Sequence, residues 1–175
     1  MTEQLDIGAF LSALARRTDA FFREELGIVL SPPAYQIDDV QKLDLRPVTA
    51  IMSAAGGLKL YLAYSFDVSL LDAAFVAYTE GLDIAEDERE DAIQETAGDI
   101  INIIVGNALA DIAGSGPAII LSPPIILTEA KSVMRHRAAK FVSAELAAAP
   151  GELSIHLIGP GELFDDSLEY VKEQA

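Results

Sequence analysis

The chain has 175 residues, enough for one domain with a sizeable core, and 51% of them are hydrophobic. Its 12 Lys and Arg residues against 28 Asp and Glu residues give a net charge of -16, which argues against nucleic acid and anionic membranes as partners. The absence of cysteine excludes disulfides and thiolate metal sites. The N-terminus does not read as a secretory signal and no apolar run is long enough to span a membrane, so we expect a cytoplasmic protein.

The chain begins with a predicted amphipathic helix. Apolar residues recur at helical spacing from about Asp6 to Leu26, and Gly27 stands where the helix should end. Two prolines in the following segment, Ser31–Gln41, remove two backbone donors. This segment therefore predicts a loop or an edge strand.

A hairpin and a short helix are predicted next. Two apolar segments flank Gly56 and Gly57, and in the second of them leucine alternates with other residues over positions 58–63. This alternation around a glycine turn is typical of a hairpin. Asp67 is a candidate N-cap for a helix over Val68–Glu80, which Gly81 would end.

The second half of the chain predicts a long helix and a second hairpin. The acidic segment Asp83–Ala92 leads into the helix Glu95–Gly114, and acidic residues favour the positive end of a helix dipole. Strand-like residues follow, interrupted by Pro123 and Pro124, and a hairpin is expected around Pro150 and Gly151.

The order of these elements predicts an α+β fold. Helices and strands do not alternate strictly, which favours two layers, a mainly antiparallel sheet covered by long helices. No low-complexity tract or linker divides the chain. We therefore predict a single domain over residues 1–175, with a core at about 6–163 and an acidic C-terminal tail at 164–175.

Four residues of the long helix form a stripe opposite its apolar face. They follow the spacing i, i+4, i+7, i+11 and are Glu95, Asp99, Asn102 and Gly106, here called the polar stripe. Ile103 lies beside the stripe, and we expect it to be exposed. Such residues on an outer helix face can simply be solvated, and the spacing alone leaves that interpretation open.

The long helix also keeps two interior glycines, Gly98 and Gly106. Each costs roughly 0.8–1 kcal/mol relative to alanine in a helix interior. A bare backbone would let another surface approach Asp99 and Asn102 closely. Packing against the sheet or helices of the same chain is the alternative reason for the glycines.

The segment GDIINIIVGNA, Gly98–Ala108, resembles the signature helix of the CheC/CheX/FliY family of chemotaxis phosphatases, and CheX most of all. The family helix typically reads Gly-Glu-x-x-Asn, then an apolar pair and a Gly-Asn-Ala-like ending, with a proline further along the chain. The likeness extends at lower specificity over roughly Phe10 to Leu163. A single copy of the motif points to CheX rather than to CheC, which often carries two.

The resemblance implies a phosphatase that hydrolyses the aspartyl phosphate of a CheY-like response-regulator receiver in two-component signalling. Asp99 would take the position of the acid that docks on a receiver lysine, and Asn102 that of the residue that orients the attacking water. The other expected partner contacts are Glu95, Gly98, Ile103 and Gly106. The resemblance implies no cofactor of its own, Mg²⁺ on the partner receiver, and a homodimer.

The chemistry of an acyl phosphate fits these two residue types. The phosphoryl group is already reactive and the receiver supplies Mg²⁺, so the catalyst chiefly has to orient water in line with phosphorus. A carboxamide can hold that water without adding negative charge. The i, i+3 spacing of Asp99 and Asn102 points both side chains the same way from one helix.

Three departures from the family pattern keep a second function open. The family usually has Glu where this chain has Asp99, and Asp or Ser where it has Glu95; Pro124 comes one residue early. The shorter Asp99 side chain could leave its ion pair stretched, and small misplacements are costly in catalysis. The alternative is a non-catalytic receiver-binding or flagellar-switch adaptor that has lost activity through the Glu-to-Asp change.

Other candidate sites are weaker. His136 lies among four basic residues and suggests either a phosphate-binding patch or a solvated strand edge guarded by positive charge. His156, in an apolar strand-like segment, is expected to be a hydrogen-bonded strand histidine. The two histidines show no metal-ligand spacing, so no metal site is predicted. The acids Glu88, Glu90 and Asp91 are interpreted as a helix start.

Overall fold

The computed structural model describes residues 6–37, 40–56, 59–112, 118–129, 131–161 and 164. Its α-helices are α1 (Ile7–Glu24), α2 (Val68–Tyr78) and α3 (Arg89–Ile112), and a 3-10 turn, Glu86–Glu88, precedes α3. Its strands are β1 (Ala34–Gln36), β2 (Lys42–Asp44), β3 (Val48–Gly56), β4 (Leu60–Phe66), β5 (Ile119–Leu121), β6 (Ile125–Thr128), β7 (Ser132–Met134), β8 (Ala139–Ala148) and β9 (Gly151–Pro160).

The main sheet is antiparallel at every pairing among the described residues. Its strands lie in the order β1-β8-β9-β4-β3-β5, and β6 also pairs with β3. Both predicted hairpins are present as β3–β4 and β8–β9, although residues 57 and 58 of the first turn lie outside the described residues. The Ser31–Gln41 segment supplies the edge strand β1. The α+β prediction, with a mainly antiparallel sheet, is confirmed.

The hydrophobic core lies between one face of this sheet and the helices. The helix α1 contributes Phe10 and Leu14, and α3 contributes Ile100 and Ile104, all of them fully buried. Phe164, which the sequence assigns to the acidic tail, is also buried in this core. The core therefore reaches one residue beyond its predicted end, and residues 165–175 lie outside the described residues.

The helix α1 has the ends that its sequence indicates. The Asp6 carboxylate accepts a hydrogen bond from the Ala9 amide at 3.0 Å, which caps the N-terminus. Gly27 takes φ 65°, and the Ile28 amide donates back to the Phe22 carbonyl at 2.8 Å. Glycine adopts this left-handed backbone without the penalty that a side chain would bring. The helix ends at Glu24, two residues before its predicted end.

The predicted side-chain cap of α2 is wrong. Asp67 occupies the N-cap position but makes no side-chain capping bond. Its carboxylate instead accepts hydrogen bonds from the Glu152 amide at 2.9 Å and from Arg46 Nη1 at 3.0 Å. The Asp67 carboxylate thus bonds to Arg46 and to the neighbouring strand instead of capping its own helix. Helix spacing in the sequence does not reveal such tertiary contacts. The helix ends at Tyr78 rather than Glu80.

The second face of the sheet is also partly covered, which the alternation in β4 did not indicate. Tyr61 points outward and is 56% exposed, but Ala63 on the same face is fully buried. Arg46, just after β2, donates from its backbone amide to Ser65 Oγ on this face at 2.5 Å. The buried Leu43 belongs to the small antiparallel sheet of β2 and β7. This face of the sheet is therefore shielded from solvent at Ala63 and Ser65, both of which are fully buried.

Candidate functional site

The helix α3 presents the polar stripe to solvent. Glu95, Asp99, Asn102 and Gly106 are all exposed, and Ile103 beside them is 38% exposed, as the helical spacing predicts. The opposite face of α3 is buried against the core. The helix begins at Arg89, inside the predicted acidic approach, and carries Glu90 and Asp91 in its first turn.

Asp99 and Asn102 are available for an outside partner. In the described part of the chain, no side chain forms a hydrogen bond or an ion pair with either of them. Because they are three residues apart on one helix, their side chains are neighbours on its surface. A carboxylate and a carboxamide therefore stand side by side on a rigid element with their polar groups free to act on another molecule.

An open groove runs beside the stripe. It has a volume of about 490 Å³ and is lined by α3 residues from Asp91 to Asn102 and by Pro124 and Ile126. One wall carries the carboxylates of Asp91, Glu95 and Asp99, and the other is apolar. The proline of the sequence motif, Pro124, thus lines the same groove as Asn102, even though it comes one residue early in the chain.

The two helix glycines have different surroundings. A Cβ atom at Gly98 would lie 3.3 Å from Pro124 Cγ and 3.9 Å from Ile126 Cδ1, so packing within the chain accounts for this glycine. A Cβ atom at Gly106 would meet nothing within 4 Å among the described residues. Gly106 is exposed, and no internal contact explains its helix-propensity cost. The role of both glycines in partner binding stays a prediction.

Ion pairs hold α3 near both of its ends. Arg89 pairs with Asp72 of α2 at 2.5 Å, and its guanidinium carbon lies 4.8 Å from the Phe75 ring centroid. Near the C-terminal end, Arg17 and Arg16 of α1 both bind the Asp111 carboxylate. Hydrogen bonds from Arg17 and then Arg16 lower the pKa of Asp111 to about 2. The stripe between these two ends is therefore on a fixed support.

A second polar region, on the opposite face of the sheet, is paired internally. Arg46 binds Asp67 at 3.0 Å, Glu145 at 3.1 Å, Glu152 at 2.7 Å and Ser154 at 3.1 Å, and we call these five residues the Arg46 cluster. Sequence analysis missed it, because its members come from distant parts of the chain and no local spacing connects them.

His156 lies near this cluster and is buried. Its Nδ1 is hydrogen-bonded to Ser143 Oγ at 2.6 Å, but its Nε2 has no partner among the described residues. The expectation of a fully hydrogen-bonded strand histidine is therefore only half right. Burial, and then the charge of Arg46, lower the pKa of His156 to about 4. His136 is exposed two residues beyond β7, and its role stays a prediction.

No group of three or more His, Cys, Asp or Glu side chains in the described residues is arranged to hold a metal ion. None of the helices in the described ranges is long and apolar enough to cross a membrane.

Comparison with known proteins gives a family match and a set of similar structures. The family model for the chemotaxis phosphatase CheX matches residues 48–146, more than half of the chain, which include the polar stripe and Pro124. A search of curated protein sequences gives no significant match.

Solved structures of chemotaxis proteins share the fold at low sequence identity. A chemotaxis protein from Desulfovibrio vulgaris Hildenborough has a TM-score of 0.73 and 16% identity, covering 89% of this chain and 99% of its own. CheX from Desulfovibrio desulfuricans has a TM-score of 0.72 and 15% identity, covering 85% of this chain and 97% of its own. A complex from Borrelia burgdorferi containing CheX, CheY, BeF3 and Mg²⁺ has a TM-score of 0.63 and 14% identity, covering 86% of this chain and 96% of its own.

Proposed function

The chain belongs to the CheX family of chemotaxis phosphatases, and from this premise we propose that it hydrolyses the aspartyl phosphate of a CheY-like receiver. One observation carries the proposal. Asp99 and Asn102 are exposed side by side on α3, without a partner in the described part of the chain, at the positions of the family's acid and asparagine. Residues kept polar, unpaired and exposed on a fixed helix are suited to act on another molecule.

In this proposal Asn102 orients the attacking water. Its carboxamide accepts a hydrogen bond from the water and holds the water oxygen in line with the bond between phosphorus and the aspartyl oxygen. As the new P–O bond forms, the bond to the aspartyl oxygen breaks, which yields inorganic phosphate and the free receiver carboxylate. The Mg²⁺ of the receiver balances the charge on the phosphoryl oxygens.

Asp99 serves to dock the receiver in the same geometry. An ion pair between its carboxylate and a lysine of the receiver would fix the distance between Asn102 and the phosphoryl group. Glu95, Ile103 and Gly106 are exposed around Asp99 and Asn102, and we assign them to the docking surface together with Gly98, which is buried but lines the neighbouring groove. The Borrelia burgdorferi complex, in which a CheX of this fold is bound with CheY, BeF3 and Mg²⁺, supports a CheY-like partner.

The shorter acid favours one alternative function. Asp99 is one methylene shorter than the glutamate usual in the family, so its carboxylate lies closer to the helix. If it does not reach the receiver, the chain would bind without hydrolysing, as a receiver-binding or flagellar-switch adaptor. Both functions use the same surface, and they differ in the rate of phosphate release.

The decisive experiment adds the purified protein to CheY-like receivers of the same organism, phosphorylated with acetyl phosphate. We expect phosphoryl loss to accelerate for the cognate receiver, and Asn102→Ala to reduce that acceleration by about 100-fold while leaving receiver binding intact. Unchanged receiver decay at saturating protein would refute catalysis and leave the adaptor. A gain of activity in Asp99→Glu would show that side-chain reach limits the rate.

Two further expectations remain part of the proposal. A receiver substrate places the activity in the cytoplasm, as expected from the sequence. A homodimer is implied by the family resemblance, and sedimentation at micromolar concentration measures it directly. A monomer at that concentration would contradict this expectation.

A further inference from the structure

The groove beside the polar stripe has two walls of different chemistry. The wall on α3 carries the carboxylates of Asp91, Glu95 and Asp99, and we call it the acidic wall. The opposite wall consists of Pro124 and Ile126 and carries no charge. The volume of about 490 Å³ is in the range of ligand-binding clefts, so the groove can take side chains from a partner surface.

The carboxylates of the acidic wall are not neutralised within the described part of the chain. Asp91, Glu95 and Asp99 are exposed, and none of them forms an ion pair with a described residue. Each is four residues from the next, a spacing at which like charges on a helix repel one another. A cation supplied by a partner would relieve this repulsion. The acidic wall is therefore complementary to a basic group.

The apolar wall adds a second requirement for the group that the groove holds. A Cβ atom at Gly98 would lie 3.3 Å from Pro124 Cγ, so α3 and the segment before β6 approach each other closely there. Ile126 pairs with Ala50 of β3 and packs against the core, which fixes its position. Pro124 and Ile126 remain partly exposed. An alkyl stem that ends in a cation, as in Lys or Arg, matches both walls at once.

We propose that the groove receives a second basic side chain of the receiver, and that Asp91 is a specificity-determining residue that pairs with it. The stem of that side chain packs on the apolar wall. Asp91 and Asp99 are eight residues apart on α3, so the second cation lies roughly 12 Å from the lysine that pairs with Asp99. This inference rests on the proposed function, because it takes the Asp99 surface to face a receiver.

Calorimetric titration with a BeF3-activated, Mg²⁺-loaded receiver measures this contact apart from catalysis. We expect Asp91→Lys to raise the Kd about tenfold, because like-charge repulsion replaces the attraction. The milder Asp91→Asn keeps the size of the side chain and should raise the Kd about threefold, as is usual for an exposed ion pair. Its Kd should also rise less steeply with salt than that of the wild type.

The matched control is Glu90→Lys. Glu90 precedes Asp91 in the first turn of α3, is exposed, and is not among the residues that line the groove. Its reversal changes the net charge and the interaction with the helix dipole as Asp91→Lys does. We expect its Kd to stay within about twofold of the wild type, since only the screened long-range field changes. Equal weakening by the two reversals would overturn the groove contact.

A double-mutant cycle identifies the side chain that enters the groove. Each surface Lys and Arg of the receiver is replaced by alanine in turn and titrated against the wild type and against Asp91→Asn. We expect one of them, other than the lysine that faces Asp99, to weaken binding to the wild type but not to Asp91→Asn. If no receiver residue is coupled to Asp91 in this way, the proposed pairing is wrong.

The outcomes separate this inference from the proposed function. Receiver binding by Asp91→Lys equal to that of the wild type, in an active protein, overturns the groove contact and leaves the phosphatase intact. Binding that Asp91→Lys weakens but Glu90→Lys does not, in a protein that never hydrolyses the phosphate, supports the groove contact and refutes catalysis. A wild-type protein that binds none of the organism's activated receivers overturns both.

Discussion

Asp67, at the N-cap position of α2, and Asp99, on the exposed face of α3, are both aspartates, yet their surroundings differ. Asp67 accepts hydrogen bonds from Arg46 and from the Glu152 amide, and so ties α2 to β9. Asp99 has no such partner in the described part of the chain. The charges of the Arg46 cluster are thus paired within the fold, whereas the carboxylate of Asp99 is unpaired among the described residues. Stability and function should therefore respond to different substitutions.

The largest predicted effect is a loss of stability at acidic pH, caused by protonation of His156 near the Arg46 cluster. The pKa of His156 is about 4 in the folded protein, against 6.5 for an unperturbed histidine. Between these values the unfolded chain binds more protons at this residue, so stability is highest above pH 6.5 and falls as the pH drops towards 4. We expect His156 to account for a loss of about 3 kcal/mol in the free energy of unfolding between pH 7.5 and pH 4.

Urea unfolding across this pH range measures the effect. Carboxylates also titrate there, so the informative quantity is the difference between the wild type and His156→Asn, which cannot gain the charge. The variant should have a flatter stability profile between pH 6.5 and pH 4. Parallel profiles for the two proteins would show that His156 is not the group responsible.

A smaller loss of stability is expected from Arg46→Met. The Arg46 side chain is 22% exposed, and its removal leaves three carboxylates close together without their shared cation. We expect unfolding to become easier by about 2 kcal/mol, somewhat less than for a fully buried pair. Receiver dephosphorylation per folded molecule should not change, because the cluster lies away from the stripe.

Arg16→Met is the control for a general loss of positive charge. Arg16 also pairs with an aspartate, Asp111, but its side chain is 61% exposed. Exposed pairs contribute little, so its thermal midpoint should stay close to that of the wild type. Equal destabilisation by the two substitutions would contradict the special role given to the Arg46 cluster.

The smallest effect concerns the two helix glycines. Gly106→Ala should stabilise the protein by roughly 0.5–1 kcal/mol, because alanine is the better helix former and the added methyl group meets no atom of the described residues within 4 Å. Gly98→Ala should gain less or lose stability, since its methyl group would press on Pro124 at 3.3 Å. Thermal unfolding compares the two. If Gly106 serves docking, its stabilised variant should bind the receiver more weakly.

The sequence predicted the elements that depend on local pattern. The apolar repeat of α1, the glycine-marked hairpins and the exposed stripe of α3 all follow from periodicity, and the structure shows them. The motif helix also indicated the family before any comparison. Such features are encoded within a few turns or strands, so a single sequence reveals them.

The features that escaped prediction depend on contacts between distant segments. The β2–β7 sheet joins residues that lie far apart in the chain, and each of its strands has only three residues. Asp67 predicted the start of α2 correctly but for an incorrect reason, because its side chain binds Arg46 and does not cap the helix.

Ion pairs attach α3 near both of its ends, through Arg89 at the start and Asp111 near the C-terminal end. This attachment affects the conformational entropy of docking. A site on a mobile loop loses conformational entropy when a partner orders it, and that loss weakens binding. Asp99 and Asn102 lie on a backbone that is already ordered, so only their own side-chain rotations are lost. Receiver binding should therefore carry a small conformational entropy penalty, and the encounter can proceed without a preceding rearrangement of this chain.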